Sequence, residues 1–158
     1  MAYVDVDVHH GDGVQAAFYD TDQVLTISLH QDGRTLFPGM GLVDDVGVGR
    51  GLGYSVNVPL PPYTDDETYL WAFQHIVPPL LKRFNADIVV MQLGVDTHYR
   101  DSLANLALTT TGQLALFQAL DTLAPRWLAF GGRGLRHRCS AAGVDVGLWG
   151  NGQAVLPG

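Results

Sequence analysis

Apolar and polar positions alternate along the first residues of the chain. Tyr3–Val8 interleaves β-branched residues with acids, which suits a strand whose side chains point to opposite faces by turns. Asp5, Asp7 and His9 then share one face, and Val4, Val6 and Val8 the other. Gly11 and Gly13 open a loop. Gly13–Phe18 reads as a short helix closed by Asp20-Thr21-Asp22, and Val24–His30 as a second strand. Residues 31–53 are glycine-rich with few periodic apolar positions, a long loop of the kind that usually serves a function. Tyr54–Pro59 is a short strand. Asp65 or Asp66 caps a helix from about Glu67 to Phe84, which Pro78-Pro79 is expected to kink or restart. Asp87–Leu93 is a near-continuous apolar run, as in a parallel strand buried on both faces. Thr109–Ala124 is a helix with Leu114, Phe117, Leu120 and Leu123 on one stripe. Leu128–Phe130 is a last strand before Gly131-Gly132. This alternation predicts an α/β fold with a parallel multi-stranded sheet flanked by helices.

Chemistry concentrates in Asp5-Val6-Asp7-Val8-His9-His10-Gly11-Asp12-Gly13. Two carboxylates and an imidazole crowded at a strand's carboxyl end are costly unless something positive compensates them, and a divalent metal is the simplest compensation. A catalytic zinc accepts such a set and keeps one position open. Asp96, just past the strand that Gly94 ends, offers a further ligand, because sites in open parallel sheets gather at the carboxyl ends of strands. As isolated features these acids and histidines would pass for ordinary strand-end and loop residues. Their joint spacing favours metal.

These residues resemble the zinc-dependent deacetylase family: histone deacetylases, acetoin-utilisation proteins and acetylpolyamine amidohydrolases. The matching pieces are the Asp-x-Asp-x-His-His-Gly-Asp-Gly stretch, Ser28-Leu29-His30, Leu36-Phe37-Pro38-Gly39, Tyr54–Pro59 and Gln92-Leu93-Gly94-Val95-Asp96. They run in order to about Gly132 and correspond to the C-terminal part of the family's domain, so the arginase/deacetylase-like sheet is expected to be incomplete on its N-terminal side. The resemblance implies Zn2+ (or Fe2+) ligands at Asp7, His9 and Asp96. It implies a structural K+ held by Asp5, Ser28 and main-chain oxygens of Asp7, His9 and Leu29, and a second monovalent site at Phe18, Thr21, Val24 and Tyr54. Phe37 would wall the substrate tunnel, Leu103 would stand near its rim, and His98 close to its mouth.

The reaction so implied is hydrolysis of an acetylated lysine side chain or polyamine by metal-activated water. In the family a histidine pair ahead of the first motif supplies the base and a tyrosine after a Gly-rich strand end supplies the oxyanion donor. The chain begins at the first strand, without that pair, and Leu135 stands where the tyrosine is expected. Losing one such donor typically costs about 10²–10³-fold in rate. The chain by itself is therefore expected to be inactive or nearly so. Residues 1–132 read as a partial deacetylase-like domain and 133–158 as a divergent tail. With codons chosen for the purpose, Leu135–Ser140 as CTA CGA CAT CGA TGC AGC shifts by one base to Tyr-Asp-Ile-Asp-Ala, which is close to the family's continuation. A frameshift in the tail is the expectation. Alternatives are an arginase-like two-metal hydrolase and a non-catalytic remnant.

Composition changes this picture little. The 158 residues suit one domain, and 47% hydrophobic with 16% charged residues suits a globular protein. A net charge of −7 argues against direct nucleic-acid binding. No stretch reads as membrane-spanning or as a signal peptide, and the single Cys139 cannot form an internal disulfide, so the cytoplasm is the expected location. An incomplete sheet should expose an edge, at strand one or a neighbour, through which chains self-associate.

Overall fold

In the computed structural model, residues 1–124 and 126–131 are described. They form five strands and three helices: β1 (Ala2–Asp5), α1 (Asp12–Ala17), β2 (Leu25–Gln31), β3 (Ser55–Leu60), α2 (Asp66–Phe84), β4 (Val89–Leu93), α3 (Thr110–Asp121) and β5 (Trp127–Gly131). A 3₁₀ turn at Gly49–Gly51 interrupts the long loop between β2 and β3.

All pairings are parallel and the order is β3-β2-β1-β4-β5. The chain first builds outward from β1 through β2 to β3, then crosses back to add β4 and β5 on the other side. β1 and β4 therefore flank a switch point, the place where open parallel sheets form a crevice. Strand one is paired on both sides, so among the described residues the sheet's edges are β3 and β5 rather than strand one. Val4, Ile27, Leu29, Val89 and Met91 fill the core with Tyr69, Phe73, Val77 and Leu81 of α2 and Leu116 and Leu120 of α3.

Three local expectations are corrected. β1 leaves the ladder at Asp5 rather than Val8, because Asp5 Oδ1 accepts the Asp7 amide and Asp7 Oδ1 accepts the His9 amide. These side-chain turns replace ladder bonds with local ones. α2 runs unbroken through Pro78 and Pro79, its buried Phe73, Val77 and Leu81 holding one face on the core. Asp65 is its N-cap, accepting from the Thr68 amide, and Lys82 and Arg83 oppose the dipole at its other end. The buried stripe of α3 is Gly112, Gln113, Leu116 and Leu120; Phe117 and Leu123 pack beside the core, while Leu114 is not part of it.

Candidate metal centre

The Asx turns that end β1 aim Asp7 and His9 into the crevice beside β4. Asp96 arrives from the loop after β4, and its Oδ1 accepts the Val8 amide at 2.9 Å. One ligand atom each from Asp7, His9 and Asp96 lie within 4.8 Å of one another, the only such trio among the described residues. His9 Nδ1 stands 3.0 Å from Asp7 Oδ1 and 3.1 Å from Asp96 Oδ2. The Asp96 side chain is 4% exposed, that of Asp7 18% and that of His9 28%, so the trio is reached from one side.

Electrostatics follow from this packing. Hydrogen bonds to Asp7 and then Asp96 push the His9 imidazole up to about 10, against the cost of burial. Burial raises the Asp7 carboxyl, but bonds from the His9 ring and amide outweigh it and hold Asp7 below the ordinary range. Burial dominates at Asp96 and raises it. Without metal, a proton on His9 does the compensating. Two carboxylates and an imidazole converging from the loops after β1 and β4 make a donor set that a divalent cation fits. Gly94 makes room for the Asp7 carboxylate, which a Cβ there would overlap.

The residues expected around monovalent cations are placed as follows. Asp5 is buried and pairs in register with Ser28. Its Oδ2 accepts the Tyr3 hydroxyl at 2.8 Å, and burial pushes its carboxyl up to about 7 despite that bond. A Cβ on Gly11 would stand 2.5 Å from Asp5 Oδ2, so the loop passes directly over the carboxylate. Ser28 Oγ lies 2.9 Å from His30 Nδ1, whose other nitrogen, Nε2, faces the Gly41 carbonyl at 3.0 Å. Burial lowers His30 to about 4, so it is neutral; with Nε2 donating to Gly41, Nδ1 accepts from Ser28. Leu29 O also accepts the Tyr69 hydroxyl at 3.4 Å. In the second group, Phe18 caps α1, Thr21 donates its amide to Phe18 O, Val24 is buried, and Tyr54 O accepts the Thr26 amide.

Phe37, expected as a tunnel wall, and Leu103, expected near the rim, are 77% and 60% exposed. His98 is buried, with Nε2 3.3 Å from Thr110 Oγ1 and Nδ1 accepting the Arg100 amide. His10 turns from the trio: its Nε2 lies 3.1 Å from Gln15 Oε1, which Ser55 and Asn57 also reach. Leu135 lies outside the described residues. Two supporting residues carry no sequence signal: Gln113, which bonds the chain on either side of Asp96, and Asp66, which bonds the start of α3.

Comparison with known proteins places the geometry. Residues 1–146 match the histone deacetylase domain. The chain is 41% identical over 139 residues to the acetoin utilization protein AcuC of Bacillus subtilis strain 168, covering 85% of this chain and 36% of that protein. A crystal structure of an HDAC homolog complexed with SAHA superposes with a TM-score of 0.80 at 36% identity, covering 84% of this chain and 36% of the other. The acetylpolyamine aminohydrolase of Burkholderia pseudomallei gives 0.73 at 35% identity, covering 83% of this chain and 39% of that one. The chain thus spans somewhat over a third of the length of these relatives.

Proposed function

The chain belongs to the histone deacetylase family, and from that membership we propose that it carries the metal-binding part of an amidohydrolase acting on an acetylated lysine side chain or polyamine. The convergence of Asp7, His9 and Asp96 on one point carries this reading. These three residues would hold Zn2+, or Fe2+, and leave a coordination position for water or an acyl oxygen. Such an ion supplies a bound water with a pKa lowered to about 7 and polarises the acyl carbonyl.

The chain's own groups prepare that site. His9, whose imidazole the two carboxylates hold well above its ordinary range, would have to give up its proton to act as a ligand. The Val8 amide fixes the orientation of Asp96, and the His9 amide that of Asp7. Phe37 and Leu103 would give the slender aliphatic arm of an acyl-lysine or acylpolyamine an apolar wall. A K+ beside Asp5 would neutralise a carboxylate otherwise buried against Tyr3. Leu135 lacks the hydroxyl needed at the family's oxyanion position, so turnover by this chain is proposed to be low even when metal is bound. Cytoplasmic location belongs to the same proposal; among the described residues no helix is long and apolar enough to cross a membrane. Self-association would use the edges of β3 or β5.

The decisive experiment measures zinc per chain by elemental analysis after dialysis, alongside deacetylation of acetyl-lysine and acetylpolyamine reporters. We expect one zinc site, abolished in His9→Ala, with little turnover. A chain that retains no zinc above the His9→Ala level overturns the reading.

A further inference from the structure

The ligand that reaches the centre from the far side of the switch point, Asp96, sits in a loop rather than on a strand. Something must hold that loop. Val8 N secures only the carboxylate. The backbone on either side of Asp96 has main-chain bonds from the His98 amide to Val95 O and from the Leu108 amide to Thr97 O, and one buried side chain from α3 ties the two sides together. Gln113 Nε2 donates to Val95 O at 3.0 Å and to Thr97 Oγ1 at 2.9 Å, so a single amide spans the residue before the ligand and the residue after it. Both Gln113 and Thr97 are buried, at 6% and 1% exposure.

Gln113 is itself held in place. It lies in the first turn of α3, and its amide donates to Thr109 O. Thr109 caps the helix by accepting the Gly112 amide, while its own amide and hydroxyl donate to the Asp66 carboxylate at 2.8 and 2.5 Å. Gly112 allows this approach, because a Cβ there would collide with Asp66. The chain of contacts runs from the start of α2, through the start of α3, to both flanks of Asp96. A leucine or methionine at position 113 would leave Thr97 Oγ1 without this donor and Val95 O with the His98 amide alone.

We propose that Gln113 is a positioning residue for the metal centre, fixing Asp96 through its two hydrogen bonds to Val95 and Thr97. The proposal rests on the reading of Asp7, His9 and Asp96 as metal ligands. Partners that orient a ligand without touching the metal typically contribute about 10–100-fold to metal affinity.

The test uses the full chain, with Co2+ and Zn2+ as probes. Gln113→Met keeps the volume and removes the donor, Gln113→Glu keeps the shape and replaces the donor with an acceptor, and Thr97→Val removes one acceptor from the pair. Zinc affinity is measured by competition with a chromophoric chelator. The visible absorption of the Co2+ form reports ligand geometry, and thermal unfolding of the metal-free chain reports the fold. The expected result is a zinc affinity about 10–100-fold weaker in Gln113→Met and at least as weak in Gln113→Glu. Thr97→Val should fall between these and wild type, and the Co2+ spectrum should change. Metal-free unfolding of Thr97→Val should stay close to wild type. If either Gln113 variant fails to fold, weaker binding and an altered Co2+ spectrum in folded Thr97→Val sustain the proposal, and wild-type values there overturn it. Wild-type zinc affinity and spectrum in folded Gln113→Met overturn the positioning role and leave the metal centre standing. Failure of the unaltered chain to bind either ion overturns both.

Discussion

Gly94 and Asp7 occupy one corner of the crevice: a Cβ on Gly94 would stand 2.6 Å from Asp7 Cγ. The residue that ends the β4 run is therefore also the one that lets a ligand from β1 lie across it. Gly94→Ala should force Asp7 aside, cost about 1–3 kcal/mol of stability, and abolish stoichiometric zinc binding. Gly13→Ala is the control, since nothing lies within 4 Å of a Cβ there. Denaturant unfolding and zinc titration of the two variants check this, and equal zinc binding by both would contradict it.

Metal uptake should release a proton. His9 is raised from 6.5 to about 10, so it is charged in the metal-free chain at neutral pH and must lose its proton to become a ligand. Metal affinity should climb with pH until about 10. Calorimetry in two buffers of different ionisation enthalpy near pH 7.5 should show close to one proton released per ion. The same shift acts on the metal-free fold. Its raised value means that the stabilisation from His9 is complete below pH 6.5 and fades as pH rises through about 10. His9→Ala should flatten that part of the stability profile.

A monovalent cation should matter most where Asp5 is ionised. Burial raises Asp5 from 3.8 to about 7, so in the absence of cations its contribution to stability is present below pH 3.8 and is lost as pH climbs through about 7. Potassium should restore the loss. Melting temperatures at pH 8 in KCl should exceed those in tetramethylammonium chloride at equal ionic strength, and the gap should close near pH 5 and in Asp5→Asn. An unchanged gap in Asp5→Asn would place the potassium effect elsewhere.

Pro79 is a defect the helix tolerates. It is exposed and interior to α2, it cannot donate to the His75 carbonyl, and its ring crowds that group. Pro79→Ala should raise stability by about 1–2 kcal/mol after allowing for the proline's stiffening of the unfolded chain. The urea midpoint measures it, and a lower midpoint would show that the ring packs productively.

Fold class and the trio of Asp7, His9 and Asp96 were legible because both are written in short-range pattern. Alternating acids before a double histidine, and an apolar run closed by Gly94, are local signals for a strand end that carries donors. The boundaries were less legible. Tyr3–Val8 alternates like one strand, yet the carboxylates of Asp5 and Asp7 compete for the backbone and end the ladder early. Pro78-Pro79 reads as a break because propensity is local, whereas the burial of Phe73, Val77 and Leu81 that keeps α2 whole is tertiary. Gln113 was invisible for a similar reason: a glutamine one turn into an amphipathic helix looks like any polar surface position until Val95 and Thr97 are brought against it. The place of β1 at the centre of the sheet likewise depends on the crossover to β4, which no window of sequence contains.

The two strands that lead into the donor-bearing loops are immediate neighbours, Asp5 in register with Gln92 at the last pair of their ladder. The loops that carry the groups expected to grip an ion therefore start one inter-strand spacing apart, a spacing repeated over four backbone pairs. Outer strands can lengthen, shift or acquire new companions without altering that gauge. Variation at the flanks would then reshape the approach to the Asp7, His9 and Asp96 trio while leaving the spacing of its supports unchanged.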